Sequence, residues 1–171
     1  MIIEERVERS QYVKLITWIV SFIILMAGIV FPVLILWVNQ DMMSKVIGAS
    51  VLCLIFFTLI FTVAYQPRKL ILSETHIIME RILGQVYISY SDITDISLYH
   101  RENVAEIRIF GIGGFGGYIG KFYNSKIGFY TAYVGDYSQA FLIKINNREK
   151  YVMSCRHAEK IVEEVKSRLK Q

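Results

Sequence analysis

Two long stretches without a charged residue, close together near the N-terminus, constrain the fold of this chain more than any other feature. They cover residues 15–38 and 46–65 and are separated by a short polar turn. A helix rises about 1.5 Å per residue, so each stretch can cross a hydrocarbon core about 30 Å thick. Trp18, Trp37 and Tyr65 lie near the stretch ends, where such rings favour the membrane interface. The sequence therefore predicts a transmembrane hairpin of two helices.

Other interpretations of these stretches fit less well. A cleaved signal peptide has a shorter apolar core followed by a small-residue cleavage pattern, whereas here a second apolar stretch follows at once. Two uncharged runs of this length are unusual for core helices of a soluble protein. Neither stretch contains an acid, a base or a His, which pumps and transporters usually need within the membrane. We therefore expect the helices to be an anchor.

Basic residues predict the orientation of the hairpin. Arg6, Arg9 and Lys14 precede the first stretch, and Arg68 and Lys69 directly follow the second, whereas the turn between the stretches carries a single Lys. Cytoplasmic flanks of membrane helices are enriched in Lys and Arg. Both termini are therefore predicted to lie in the cytoplasm, with the hairpin tip outside.

The chain divides into a cytoplasmic flank (1–14), the hairpin (15–65) and a cytoplasmic domain (66–171). The hydrophobic fraction of 54% is high for a soluble protein, and the excess lies in the hairpin. The net charge of +4 is modest and its basic residues are dispersed, which argues against nucleic acid as a partner. Cys53 lies in the second stretch and Cys155 in the domain, so no disulfide is expected.

Short β-like runs fill most of the cytoplasmic domain. Phe141, Ile143 and Ile145 share one face, opposite Lys144 and Asn146, and Ile107 and Ile109 lie opposite Glu106 and Arg108, which predicts strands with one apolar face. We expect about seven strands, drawn from the runs 69–72, 76–83, 86–89, 96–99, 105–110, 129–134, 141–145 and 151–153.

A helix is predicted at the C-terminus. Its apolar residues recur at helical spacing and form one stripe, which consists of Ala158, Ile161, Val162, Val165 and Leu169. The predicted fold is therefore a membrane α-helical hairpin plus a mainly-β domain, in which a bent sheet or barrel is followed by an amphipathic helix.

The order of elements resembles a known family. The segments that carry the likeness are 90–96, 110–118, 130–136 and 151–154, the last leading into the helix. Together with the hairpin they resemble bacterial membrane proteins in which an N-terminal transmembrane hairpin precedes a pleckstrin-homology (PH)-like domain. The resemblance implies a non-enzymatic module in the bacterial plasma or inner membrane. Lipid-binding PH domains carry basic residues at the loop that corresponds here to Ser73, Glu74 and Thr75, so no phosphoinositide is expected.

A glycine-rich run from Gly111 to Gly116 reads G-x-G-x-x-G, the pattern of a dinucleotide-binding turn. That chemistry needs a helix that begins within the glycines and directs its N-terminus at the pyrophosphate. Here glycines and aromatic residues continue, and no helical stripe follows. Nucleotide binding is therefore not expected, and no cofactor is predicted.

The same run has two further interpretations. Aromatic side chains among glycines, next to a lysine, suit a contact loop that touches lipid or a partner subunit. The candidate contact residues are Phe115, Tyr118, Lys121, Phe122 and Tyr123. Alternatively, the run is a long connection whose aromatic side chains fold back to seal the sheet.

Catalytic and metal-binding constellations are not recognisable in the sequence. Cys155 and His157 are too few for a zinc site and lack a third group that would make them a nucleophile and base pair, and neither His76 nor His100 has a link to them. The leading hypothesis is therefore a membrane-anchored recognition or scaffolding module that binds a protein partner or itself. The alternatives are a sensor of a small ligand or lipid headgroup, and a membrane enzyme with an unrecognised site.

Overall fold

Two helices near the N-terminus, α1 (Gln11–Val38) and α2 (Met42–Ala64), open the computed structural model, which describes residues 2–38, 41–101, 106–146 and 148–169. Both are long and apolar enough to cross a membrane, as the sequence predicts. Helix α1 begins before the apolar stretch because the hydroxyl of Ser10 accepts a hydrogen bond from the amide of Val13 over 3.2 Å. Asp41 caps α2 in the same way, through the amide of Ser44 at 2.9 Å.

The helices pack against each other at a small residue. Gly28 of α1 lies against Ile55 of α2, so closely that a Cβ atom at Gly28 would come within 3.3 Å of Ile55 Cδ1. Small residues permit this close approach between apolar helices.

Sheet one joins the N-terminal flank to the C-terminal domain. Its strands are antiparallel and follow chain order, namely β1 (Ile3–Arg6), β2 (Pro67–Leu72), β3 (His76–Arg81) and β4 (Gln85–Ser89). Strand β1 pairs with β2 in the register that runs from Ile3 opposite Leu72 to Arg6 opposite Lys69. The polypeptide thus enters and leaves the helical hairpin through two paired strands.

Sheet two is larger and mixed. Its strands are β5 (Ile93–Leu98), β6 (Glu106–Gly113), β7 (Tyr118–Asn124), β8 (Gly128–Val134), β9 (Ala140–Ile145) and β10 (Lys150–Ser154). Their spatial order is β5-β9-β10-β8-β7-β6, with β10 and β8 parallel and every other pair antiparallel. Strand β6 therefore forms one edge of the sheet.

The two-sheet architecture with a C-terminal helix agrees with the predicted PH-like fold, but the strand number does not. The described residues of the domain contain nine strands, whereas about seven were expected there, and β1 in the flank is a tenth. The unpredicted strands are β1, within the flank, and β7, within the glycine-aromatic run.

One core lies between the two sheets and the final helix. Helix α3 (Ala158–Arg168) buries its apolar stripe, as predicted, against β5 and β9. Fully buried members of this core come from all three layers and include Leu70, Ile77, Met79, Phe141, Ile143, Ile161 and Val165. A second core covers the other face of sheet two and is rich in aromatic side chains, including Tyr99, Phe122, Tyr130 and Tyr137.

Candidate functional site

The glycine-aromatic run is a β-hairpin and not a loop. Strands β6 and β7 continue through it and leave only residues 114–117 as the tip. This tip docks on the helical hairpin. The amide of Gly116 donates a hydrogen bond to Thr17 Oγ1 of α1 over 2.8 Å, and Gly114 faces the side chain of Ile16. The run therefore connects sheet two to the start of the first helix.

Glycine is required in this hairpin for two reasons. Gly116 has φ +73°, and a Cβ atom there would lie 2.0 Å from Gln66 Nε2. Gly111 and Gly120 face each other across β6 and β7, and a Cβ at Gly111 would lie 2.1 Å from the carbonyl oxygen of Ile119. Gly111 thus permits close backbone approach and Gly116 a positive φ at the tip, so two of the three glycines in the G-x-G-x-x-G pattern have a structural role without a bound nucleotide.

The five predicted contact residues do not share one surface. Phe115 lies half-buried at the hairpin tip. Tyr118 and Phe122 point into the aromatic core, where Tyr118 lies 4.8 Å from Tyr137 and Phe122 lies 5.8 Å from Tyr130 between ring centroids. Lys121 and Tyr123 alternate with them in β7 and lie on the opposite face of sheet two.

At its β6 edge, that opposite face of sheet two is exposed, because no other described element packs on it. Cross-strand register places Ile107 beside Tyr123 and Phe129, and Phe110 beside Lys121 and Thr131. Ile107 is 55% exposed, Phe110 76% and Phe129 67%. Further along the same face, at β9 and β10, the side chains are buried beneath sheet one and α3. We call Ile107, Phe110, Lys121, Tyr123 and Phe129 the bare face.

Sequence reasoning assigned the sides of β6 incorrectly. Alternation predicted that Ile107 and Ile109 would form the apolar face of this strand, yet both are exposed and Glu106 is the residue turned inward. A bulge between Arg108 and Phe110 then shifts the pairing with β7 by one residue. Phe110 and Phe129 are exposed aromatic residues. The sequence pattern alone does not distinguish them from buried aromatic residues of the core.

Basic residues border the bare face at the end of the sheet far from the hairpin tip. Lys121, Arg148 and Lys150, together with Thr131 and Tyr151, line a pocket of about 280 Å³. Burial and a hydrogen bond to Glu149 raise the pKa of Tyr151 to about 12, so its hydroxyl stays a donor. The bare face thus combines exposed apolar side chains with a positively charged border.

A polar cluster closes the other face of sheet two. The side chain of Glu106 is only 3% exposed, and its Oε1 accepts hydrogen bonds from Tyr99 at 2.7 Å and Tyr130 at 2.8 Å. Arg101 Nε lies 2.9 Å from Glu106 Oε2, and its guanidinium stacks over the ring of Tyr137 at 4.7 Å. The buried carboxylate is therefore paired and hydrogen-bonded, which is what makes its burial tolerable.

The tyrosines of this cluster are held in their neutral form. Burial, followed by the hydrogen bond to Glu106, raises the pKa of Tyr99 to about 12. Burial also raises the pKa of Tyr130 and of Tyr137. All three hydroxyls are thus donors at neutral pH, and the cluster acts as a structural support for the sheet.

The remaining candidates from the sequence lie apart from one another. No group of three His, Cys, Asp or Glu side chains that could hold a metal occurs among the described residues. Cys155 is buried, and burial raises the pKa of its thiol to about 12. His157 instead contacts Glu5 at 3.0 Å. The turn at Ser73 is closed by the Ser73 hydroxyl, which accepts a hydrogen bond from the amide of His76 at 2.9 Å.

Comparison with protein families gives one match. A family model described as "Bacterial PH domain" matches residues 68–169, which is more than half of the chain. Neither the comparison with curated proteins nor the comparison with solved structures gives a match.

Proposed function

Because this chain belongs to the bacterial PH domain family, we propose that it is a membrane-anchored recognition module. In this proposal it binds a protein partner, or a second copy of itself, at the cytoplasmic face of the bacterial membrane and performs no catalysis. The helices supply location, and the bare face of sheet two supplies the recognition surface.

The proposed anchoring rests on the two helices and their flanks. Both helices are apolar enough to cross a bilayer. Arg9 lies shortly before α1 and Arg68 shortly after α2, at the helix ends that adjoin the two sheets. The positive-inside rule then favours a cytoplasmic location for the sheets. Confinement at a membrane also raises the local concentration of the module relative to a membrane partner, so that a weak contact becomes effective.

One observation carries the proposed recognition role, namely that three large apolar side chains are exposed together on an edge strand and its neighbours. Ile107, Phe110 and Phe129 lie on one face at the β6 edge. Contiguous exposed apolar surface rimmed by charge is typical of a protein interaction site. Lys121 and the basic border beside it favour a partner with acidic residues around an apolar centre.

The edge position of β6 adds a second binding element. Within the described strands, β6 pairs only with β7, so its outer backbone groups face away from the sheet. An extended segment can add to such an edge through main-chain hydrogen bonds, while side-chain pockets supply specificity.

Site-specific photo-cross-linking tests this surface. We would place p-benzoylphenylalanine at Phe110 in the full chain, in its native membrane, and at Tyr87 as a control, because Tyr87 is also exposed but lies on sheet one. The proposal expects one discrete product from position 110 and none from position 87. A product of twice the chain mass would identify self-association, and another mass would identify a partner.

A second variant separates specific binding from chance proximity. Phe129→Ser removes an exposed ring from the bare face, so we expect it to leave the amount of protein unchanged and to abolish the product from position 110. The same products from positions 87 and 110, or a product that persists in Phe129→Ser, would contradict the proposal. Resistance of the chain to extraction from membranes by alkaline carbonate tests the anchoring independently.

A further inference from the structure

A second basic pocket lies where the chain enters and leaves the helical hairpin. Arg6, Arg9, Arg68 and Lys69, with Val7 and Pro67, line a space of about 340 Å³. Residues from the N-terminal flank form one wall and residues from the start of β2 form the other, brought together by the pairing of Arg6 with Lys69. We call this space the junction pocket. It is separate from the bare face, which lies on sheet two.

The junction pocket has an excess of positive charge because nearby carboxylates are engaged. Glu4 pairs with Lys69 at 3.3 Å, Glu5 contacts His157 at 3.0 Å, and Glu8 pairs with Arg156 at 3.4 Å. Within the described part of the chain, no ion pair is found for Arg6 or Arg68, and both are exposed. Two arginines therefore line the pocket without a salt bridge to a carboxylate among the described residues.

The junction pocket lies at the ends of the two helices, which determines its expected depth relative to the membrane. Arg9 lies just before the first residue of α1, and Arg68 follows soon after the last residue of α2. The turn between β3 and β4 lies at the same level, because the amide of Leu83 donates a hydrogen bond to the carbonyl of Ala64, the last residue of α2, over 2.8 Å. Ile82 and Leu83 in that turn are exposed apolar side chains. Helix ends, exposed apolar side chains and guanidinium groups at one level match the layer of lipid headgroups.

We propose that the junction pocket binds the phosphate of an anionic phospholipid headgroup. Arginine recognises phosphate through paired N–H donors, and the cytoplasmic leaflet carries anionic lipid. The proposal rests on the membrane anchoring proposed above. The proposed site is separate from the turn at residues 73–75, where lipid-binding PH domains hold their headgroups. The proposal also differs from a general charge effect, because it assigns the binding to Arg6 and Arg68.

Lipid binding by the purified full chain tests this assignment. In detergent, native mass spectrometry would count retained phosphatidylglycerol and phosphatidylcholine molecules, and thermal unfolding would be followed with each lipid or with inorganic phosphate added. A ligand that binds only the folded state raises the unfolding temperature. We expect phosphatidylglycerol to be retained and to raise this temperature, and phosphatidylcholine and inorganic phosphate to do neither at the same concentration.

Matched variants locate the site. The double variant Arg6→Gln and Arg68→Gln should bind phosphatidylglycerol with an affinity lowered by about tenfold or more, because charge-assisted hydrogen bonds to phosphate are lost. The double variant Lys160→Gln and Lys166→Gln removes the same charge from exposed positions on α3 and should bind as the unmodified chain does. Equal weakening in both variants would reduce the effect to net charge and overturn the proposal.

The remaining outcomes are also decisive. Equal stabilisation by inorganic phosphate would assign the pocket to a free anion and overturn the lipid source. Equal retention of the two lipids by the unmodified chain would exclude headgroup recognition even if a variant failed to fold. Release of the chain by alkaline carbonate would refute the anchoring itself. A chain that resists carbonate but retains both lipids equally would instead refute only the binding of anionic headgroups by the junction pocket.

Discussion

The backbone amide of Gly116 donates a hydrogen bond over 2.8 Å to the hydroxyl of Thr17, and this bond joins the tip of the β6–β7 hairpin to helix α1. A second link lies at the end of α2, where the guanidinium of Arg81 stacks between the rings of Tyr65 at 5.2 Å and Tyr133 at 5.6 Å. Both helices are thus attached to the sheets by side-chain contacts as well as by the chain itself. The domain is held in a defined position on the hairpin.

The first prediction concerns the hairpin tip. Gly116→Ala places a Cβ atom where Gln66 Nε2 now lies and imposes a side chain on a residue with φ +73°. We expect a loss of about 1–3 kcal/mol in the free energy of unfolding, because strain and a displaced hydrogen bond add. Thermal unfolding of the full chain in detergent measures this loss.

Gly113→Ala is the matched control for that variant. Gly113 has no positive φ, and an added Cβ would meet the flexible side chain of Arg108 at 3.4 Å and, at an ordinary contact distance of 4.0 Å, the ring of Tyr118. We expect a change well below that of Gly116→Ala. Equal stability of both variants would show that the tip does not need its contact with α1.

The features that the sequence predicted are those with a local signal. The two apolar helices follow from uncharged length, and α3 follows from the stripe that includes Ile161 and Val165. Most strands follow from short β-like runs, as for the run that contains Phe141 and Ile143, which are both buried. Each of these patterns depends only on residues a few positions apart.

Features that depend on distant partners escaped the sequence pattern. Strand β1 is short and mostly charged, and it forms because β2, on the far side of the helical hairpin, presents an edge to it. Strand β7 contains Gly120, which disfavours a strand unless another backbone needs to approach. The bare face was missed because burial of Ile107 depends on what covers the sheet, and the alternation in β6 carries no information about that cover.

The second prediction concerns the buried carboxylate. Glu106→Gln removes the charge that faces Arg101 and replaces an oxygen with an amide donor near two tyrosine hydroxyls. We expect a loss of about 2 kcal/mol in the free energy of unfolding, since Arg101 is partly exposed and regains water. Denaturant unfolding in detergent measures it. Glu149→Gln, which changes an exposed carboxylate, should stay within about 0.5 kcal/mol, and equal losses in both variants would argue against a supporting role for the cluster.

The third prediction concerns alkaline pH. The pKa of Tyr99 is raised from 10.0 to about 12 in the folded chain, chiefly by burial and then by the hydrogen bond to Glu106. The unfolded chain therefore loses this proton at a lower pH than the folded chain does. The contribution of neutral Tyr99 to stability is complete below pH 10 and should fall as the pH rises from 10 to about 12.

A comparison of tyrosine variants isolates this effect. Tyr99→Phe should lower stability by about 1 kcal/mol at neutral pH and make the decline above pH 10 shallower. Tyr87→Phe, at an exposed tyrosine, should leave the steepness of the decline unchanged. The free energy of unfolding measured across the alkaline range decides between them, and a decline of equal steepness in Tyr99→Phe would contradict the assignment.

The fourth prediction concerns orientation and uses accessibility of single thiols. Cys155 can remain in place, because its thiol is buried and its pKa of about 12 keeps it protonated and slow to react. In a Cys53→Ala background, we would introduce a thiol at Met42, which is 79% exposed at the start of α2, or at Glu163, which is exposed on α3. The basic flanks predict that position 42 lies outside and position 163 in the cytoplasm.

A membrane-impermeant maleimide applied to right-side-out vesicles distinguishes the two sides. We expect Met42→Cys to react before the vesicles are opened and Glu163→Cys to react only afterwards, while the parent with Cys155 alone stays unmodified throughout. The reverse pattern would place the sheets outside, where the junction pocket would face the opposite leaflet. Reaction of both positions in closed vesicles would mean that α1 and α2 do not cross the bilayer, since a crossing pair keeps residue 42 and α3 on opposite sides.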